Sequence, residues 1–448
     1  MFCLPVDDQT TIKLLARADV EVTMAGLKPF IKSARWIGET NQYASNVISE
    51  LKNWSKDSKD KKRELAQYIA ASAVLHANDG WSYLGRAISC LMVGDPHRAL
   101  HLAYYAELRA CMSLLAGVGI GIFNHSHYVI DAPDSTKRLN SPYGTHEVVW
   151  LALEFWSRQP ASGSLFTRLI RPEGISLDDW FAPIGGVATL AAQAHDWFIQ
   201  WGMDLNFTID DRNARNESSY RPDGIPLSWE IPSTDVLEFT KDLWLTLEPS
   251  DQSSFEQVDQ HILRLALGNQ FHGLTGEQPS DSNPNFVAYI AKVVQMRGLP
   301  ESATRRWIDF LLRRRVATDP QIFTASGSKP ANAASDPIGM LSRAVLLLRV
   351  ATGSAHDLLK QAGFDTMGLS FWWGAIGAAR GLWKPSTPPD QLKDLWADIY
   401  DTLLEVGDVS TSDPAAFSSI NGLVHEMGGP LSTLCSHERV GLWGLCST

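Results

Sequence analysis

Tyr83–Ala116 reads YLGRAISCLMVGDPHRALHLAYYAELRACMSLLA. Apolar residues recur at helical spacing on both sides of Gly94-Asp95-Pro96, a trio that supplies a helix-ending glycine, an N-capping aspartate and a proline at a first helical position. The stretch therefore predicts two helices folded back on each other. On the second, Asp95 to Ala116, a rotation of about 100° per residue puts His97, Arg98, His101, Tyr105, Arg109 and Ser113 on one polar stripe. Leu100, Ala103, Tyr104, Ala110, Cys111 and Leu114 form the opposite face, with Glu107 in their midst. A carboxylate in such a place needs a cation or several donors, and Arg86 on the preceding helix is the expected partner. Such a pair either fixes the register of a bundle or makes a catalytic or ligand-binding carboxylate.

Downstream, GVGIGIFNHSHYVID (residues 117–131) alternates β-branched residues with glycine and predicts a short extended element. Its glycines do not complete G-x-G-x-x-G, and no Walker sequence occurs, so nucleotide-binding folds of those kinds are excluded. Asn124, His125 and His127 follow the glycines, with His125 and His127 on one face of an extended chain and His146 a third imidazole that could join them. No carboxylate stands at a diagnostic distance from them, so no metal and no cofactor is expected. The chain has no G-x-S-x-G, and Cys435-Ser436-His437 with Cys446 lacks the second pair of a zinc site.

Elsewhere helix-period patterns dominate: Thr10 to Arg17, Arg63 to His76, Gly80 to Val93, Thr145 to Gln159, Val187 to Met203, Thr234 to Leu247, Phe255 to Leu267, Asn285 to Met296, Ile338 to Ala351, Gly368 to Trp383 and Pro389 to Val406. Polar stretches at Ile209–Pro226, Gly276–Pro284 and Thr324–Pro337 read as loops or linkers. The fold class is mainly α, as multi-helix bundles with one short extended element. The expected division is an N-terminal bundle (1–160), a middle helical region (161–325) and a Trp-rich C-terminal region (335–448).

At 448 residues with 44% hydrophobic side chains and sixteen Trp, the chain has material for large packed layers. A formal charge of −11 argues against a broad phosphate-binding surface. Its five scattered cysteines point to reduced thiols in a cytoplasm. The N-terminal stretch carries acids where a signal peptide carries bases, and the longest apolar run, Leu114 to Phe123, falls short of the roughly 18 residues of a membrane span. A cytoplasmic protein without a membrane partner is the expectation.

Two further features bear on partners. Arg305–Arg315 is the one dense basic run, and Arg305, Arg306 and Arg313 are its candidates for binding nucleic acid or an acidic partner. Phe371-Trp372-Trp373 is the candidate protein-partner surface, provided the rings are exposed.

The hairpin Tyr83–Ala116 resembles the core of the HEPN superfamily of helical-bundle proteins, common in prokaryotic defence and toxin systems. Active members use an Arg and a His about four to six residues apart as a metal-independent ribonuclease pair. Here Arg98 to His101 is shorter and Arg109 to His125 longer, so the resemblance implies a binding module. The leading expectation is an interaction subunit of an intracellular assembly. Its rivals are a ribonuclease built on Glu107, Arg109, Asn124, His125 and His127, and a nucleic-acid-binding subunit using Arg305–Arg315.

Overall fold

A computed structural model describes residues 3–52, 58–186, 193–200, 211–213, 215–216, 233–314, 318–327, 337–415 and 419–446. Six helices come first: α1 (Val6–Lys13), α2 (Arg17–Ala25), α3 (Lys28–Ile31), α4 (Tyr43–Lys52), α5 (Lys59–Met92) and α6 (Pro96–Ala116). Strands β1 (Ile120–Phe123), β2 (Ser126–Ala132) and β3 (Ser135–Arg138) follow. Then come α7 (Thr145–Ser157), α8 (Pro160–Leu169), α9 (Leu177–Phe181), α10 (Ala194–Gln200), α11 (Ser233–Thr246), α12 (Glu256–Thr275), α13 (Pro284–Gln295) and α14 (Glu301–Leu311). The chain continues through α15 (Gln321–Ala325), α16 (Pro337–Gln361), α17 (Ser370–Arg380), α18 (Leu395–Ser412), α19 (Ile420–Leu434) and α20 (Glu438–Cys446). The protein is mainly α with one small antiparallel sheet.

The hairpin turn is built as its sequence dictates. Gly94 takes a positive φ of 76°, the Asp95 side chain accepts from the Arg98 amide at 3.0 Å, and Pro96 opens α6. Two local expectations fail. Thr10 to Arg17 is not one helix: α1 stops at Lys13 and Arg17 starts α2. Arg63–His76 and Gly80–Val93 are not two helices but parts of the 34-residue α5. Gly80 sits inside it because α16 crosses there, and a Cβ would run into the Leu348 side chain. The helical propensity lost at glycine is offset by this close approach.

The extended element is a three-stranded sheet in the order β1-β2-β3. Ile120 pairs with Val129 and Phe123 with Ser126, so Asn124 and His125 form a two-residue turn, with Asn124 at φ 51°. Asparagine tolerates that left-handed conformation better than most residues. The third strand was not expected from the sequence.

Helix α16 lies at the centre. It packs along α6 and α5 and is also touched by α2, α8, α15 and α20. Buried on most sides, it has the length and composition of a membrane span, yet 89% of its most apolar stretch is buried inside the protein. The expected boundary at Thr324–Pro337 thus precedes a helix that packs on the N-terminal hairpin, and one buried cluster runs from Leu4 to Cys446. Large rings fill it: Trp81, Trp180, Trp197, Trp244 and Trp443 are fully buried. Trp81 donates its indole N–H to Thr352 Oγ1 on α16 at 2.8 Å. Most of the Ile209–Pro226 and Thr324–Pro337 stretches, and the ends of the Val187–Met203 helix, lie outside the described residues.

The crossing at Gly80 gives a test. In an open helix, Gly80→Ala would stabilise by about 0.5–1 kcal/mol. Against Leu348 it is expected to destabilise by about 1–3 kcal/mol through overpacking. In urea melts, Gly80→Ala/Leu348→Ala should cost less than the sum of the single changes, because the truncated leucine makes room for the methyl.

Candidate functional site

Glu107 is buried on α6, as its apolar neighbours require, but its cation is not Arg86. Arg86 is exposed on the outer side of α5, over the Tyr83 ring at 5.9 Å. The inner side of α6 faces α16, and there Arg343 Nε lies 3.5 Å from Glu107 Oε1. Asp211 binds the same guanidinium at both ends, accepting from Nε at 3.0 Å and from Nη2 at 2.6 Å, while Nη1 donates to the Ser326 carbonyl at 3.1 Å. Two carboxylates thus share one arginine in the core. Burial, then the charge of Asp211, holds the Glu107 carboxyl well above the usual carboxylate range. The Glu107 carboxyl is thereby biased toward its protonated form, while Asp211 makes both short hydrogen bonds to the Arg343 guanidinium.

Asp211 anchors the short segment that carries Arg212, Arg215 and Asn216. These three, with Asn124, His125 and His146, line a cleft of about 550 Å³. The Arg215 guanidinium lies 5.5 and 5.6 Å from the ring centres of Tyr104 and Tyr105, whose planes stand 83° apart, a cation–π contact with both rings. Its Nη2 lies 3.4 Å from His146 Nε2, and Arg212 Nη1 lies 3.4 Å from Glu147 Oε1.

The hydrogen bonds assign a tautomer to His146. Nε2 faces a donor and so accepts, which leaves the proton on Nδ1, 3.1 Å from the Tyr104 hydroxyl. Burial, then Arg215 and Arg212, lowers its pKa, so the ring is neutral near pH 7. His125 stands exposed at the tip of the β1–β2 turn, its Nδ1 3.3 Å from the Pro142 carbonyl. The cleft thus offers two guanidinium groups, two amides and two imidazoles, with Glu147 as its one lining carboxylate among the described residues. Planar, anionic ligands match such a set.

The remaining residues singled out in the sequence lie elsewhere. His127 turns inward, fully buried, with Nε2 2.9 Å from the Tyr143 carbonyl. Arg109 does not line the cleft: Nη1 is 3.0 Å from His76 Nδ1 and Nε is 3.9 Å from Asp79. Burial, then Arg109, pushes the His76 pKa down to about 3, so His76 is a neutral acceptor. Ser113, placed by periodicity on the polar stripe, is buried and donates to the Ala73 carbonyl at 2.5 Å. Among the described residues no three His, Cys, Asp or Glu side chains gather as metal ligands would.

Arg305 and Arg306 are exposed on α14 but paired, with Glu301 at 3.0 Å and Glu173 at 2.7 Å. Arg313 lies beyond the end of α14 with φ 57°, off the helical face assumed for it, and pairs with Asp319. Arg315 falls outside the described residues. The rings of the expected partner surface point inward. Trp372 and Trp373 are 8% exposed, and Trp36 packs edge-on against Phe371 and Trp372 at 5.7 and 5.5 Å.

Arg212, Arg215 and Arg343 were missed because the first two sit in a stretch read as loop and the third in an apolar helix. An arginine within MLSRAVLLLRV was itself a signal, since a buried guanidinium demands a carboxylate. Comparison with known proteins adds nothing to the geometry: no family model, no curated protein and no solved structure matches the chain.

The buried cluster makes a pH prediction. A folded carboxyl held above its ordinary value of 4.5 contributes stability that is full below that pH and falls as pH rises through the folded value. Glu107→Gln mimics the protonated form, so its stability relative to wild type should grow with pH above 4.5, by at most about 1.4 kcal/mol per unit. Asp211→Ala removes the carboxyl that makes both short hydrogen bonds to Arg343 and should cost about 3–5 kcal/mol. Chemical denaturation at pH 5, 6, 7 and 8 checks both, and a constant difference between wild type and Glu107→Gln would refute the protonated state.

Proposed function

We propose that this protein is a non-catalytic recognition subunit of an intracellular assembly and that its cleft binds single-stranded nucleic acid. One observation carries the reading: Arg212 and Arg215 both line an open cleft, with the Arg215 guanidinium held near the Tyr104 and Tyr105 rings, on a chain whose overall charge is −11. Guanidinium groups engage phosphates and stack on unstacked bases, and the flanking Asn124, Asn216 and His125 supply hydrogen bonds to base or sugar edges. The paired arginines of α14 offer a weaker alternative, because binding there would first break ion pairs with Glu301 and Glu173.

A ribonuclease reading keeps one support, the presence of His125 beside two arginines. Of its residue set Asn124 also lines the cleft, but Arg109, Glu107 and His127 do not reach it. Fluorescence anisotropy with a labelled single-stranded RNA, at several salt concentrations, tests the proposal. Wild type should bind, and Arg212→Ala/Arg215→Ala should weaken binding about tenfold or more and reduce the salt slope by about 0.7 per lost phosphate contact. Arg305→Ala/Arg306→Ala/Arg313→Ala should bind as wild type. RNA fragments that appear with wild type and vanish with His125→Ala would favour the nuclease. Unchanged affinity of the double variant, folded by circular dichroism, would remove the cleft from consideration.

A further inference from the structure

A second arginine of α16 does something different from Arg343. Arg349 is buried, and Asp259 accepts from its Nε at 2.8 Å and its Nη2 at 2.7 Å; Nη2 also donates to the Leu169 carbonyl at 2.8 Å. The guanidinium lies over the Phe255 ring at 4.7 Å. Held on two edges and one face, it leaves Nη1 buried with no hydrogen-bond partner. An unpaired N–H of a buried cation is costly, so a group of this kind calls for an acceptor.

Arg349 is one of the residues that line a pocket of about 380 Å³. One helical turn on, Gly353 lines the same pocket, and a Cβ there would stand 2.5 Å from Nη1. A side chain at position 353 would therefore crowd Nη1. Around it the pocket gathers Arg168, Arg171, Lys360, Lys393 and His356. Among the described residues its one lining carboxylate is Asp357, which is already shared by Arg17 at 3.2 Å and Arg168 at 2.8 Å. Lys393 donates to the Ser250 carbonyl at 2.7 Å, which fixes its ammonium at the rim near Asp251 and Glu256. With Arg349 the pocket is lined by five cations, Arg168, Arg171, Lys360 and Lys393 being the others, while burial keeps the His356 ring neutral; in a chain with an excess of acids this is a concentrated positive field.

We propose that this pocket binds a compact polyphosphate, with Arg349 Nη1 donating to a phosphate oxygen at its floor and Arg168, Arg171, Lys360 and Lys393 neutralising the remaining charge. A single carboxylate would satisfy Nη1 but leave most of the surrounding cations unmatched, whereas two linked phosphates match both. The site is separate from the Arg212–Arg215 cleft and does not depend on how that cleft is used.

Inorganic pyrophosphate is the probe, measured by thermal shift and isothermal titration on the full chain at constant ionic strength, with sulfate as control. Pyrophosphate should raise the melting temperature in a saturable way, and sulfate at equal concentration should do much less. Arg168→Ala/Lys360→Ala, both at exposed positions, should weaken pyrophosphate binding about tenfold or more. Gly353→Ala, which crowds Nη1, should weaken it further. Should Gly353→Ala lose its fold, the exposed double variant decides. Arg212→Ala/Arg215→Ala should bind pyrophosphate as wild type does, which separates this site from the nucleic-acid cleft. No saturable response from wild type, an equal response to sulfate, or wild-type affinity in the Arg168→Ala/Lys360→Ala chain would overturn the assignment.

Discussion

Arg343 places a positive charge inside α16, the one described helix long and apolar enough to cross a membrane, and much of the surrounding geometry answers to that charge. A buried guanidinium is tolerated only with its donors matched, and here Asp211, Glu107 and the Ser326 carbonyl match them. Each partner comes from a different part of the chain, so the cluster fixes α6 against α16 and draws the segment around residue 211 into the same place. Arg212 and Arg215 reach the cleft because their neighbour Asp211 is held below it. The raised pKa of Glu107 belongs to the same balance: one cation and two carboxylates in low dielectric favour a neutral acid.

Arg349, on the same helix, follows the same rule on its Asp259 side and departs from it on the other. Its bonds to Asp259 and the Leu169 carbonyl tie α16 to α12 and to the end of α8, while Nη1 is left unpaired in a residue that lines a pocket with other cations. One arginine closes the interior and the other opens it. That difference, read from hydrogen bonds alone, separates a structural ion pair from a binding group more clearly than burial does, since both side chains are buried to a similar degree.

How much of this was legible beforehand follows from the range of the interactions. The turn at Gly94-Asp95-Pro96, the helices beside it and the burial of Glu107 depend on residues within a few turns of each other, and periodicity reports them. Long-range contacts upset the local signals in several places. Gly80 reads as a break but lies inside α5, because the partner that makes a glycine useful there is Leu348. Trp372 and Trp373 read as a surface by composition, but Trp36 packs on Trp372 and Trp383 on Trp373. Arg305, Arg306 and Arg313 read as a basic patch, and acids at Glu301, Glu173 and Asp319 pair with them.

By itself the sequence determined the mainly helical class, the capped hairpin, the presence of a short extended element after α6 and the need of Glu107 for a partner. These follow from backbone propensity, capping and the period of apolar residues, which act over one to a few turns. Tertiary structure alone decided that the partner is Arg343 and not Arg86, that Asn124 and His125 meet His146, Arg212 and Arg215 while His127 and Arg109 turn away, and that Arg349 keeps one free edge. Those outcomes depend on which charges are desolvated together, and desolvation is a property of the packed neighbourhood that residue spacing along the chain does not encode.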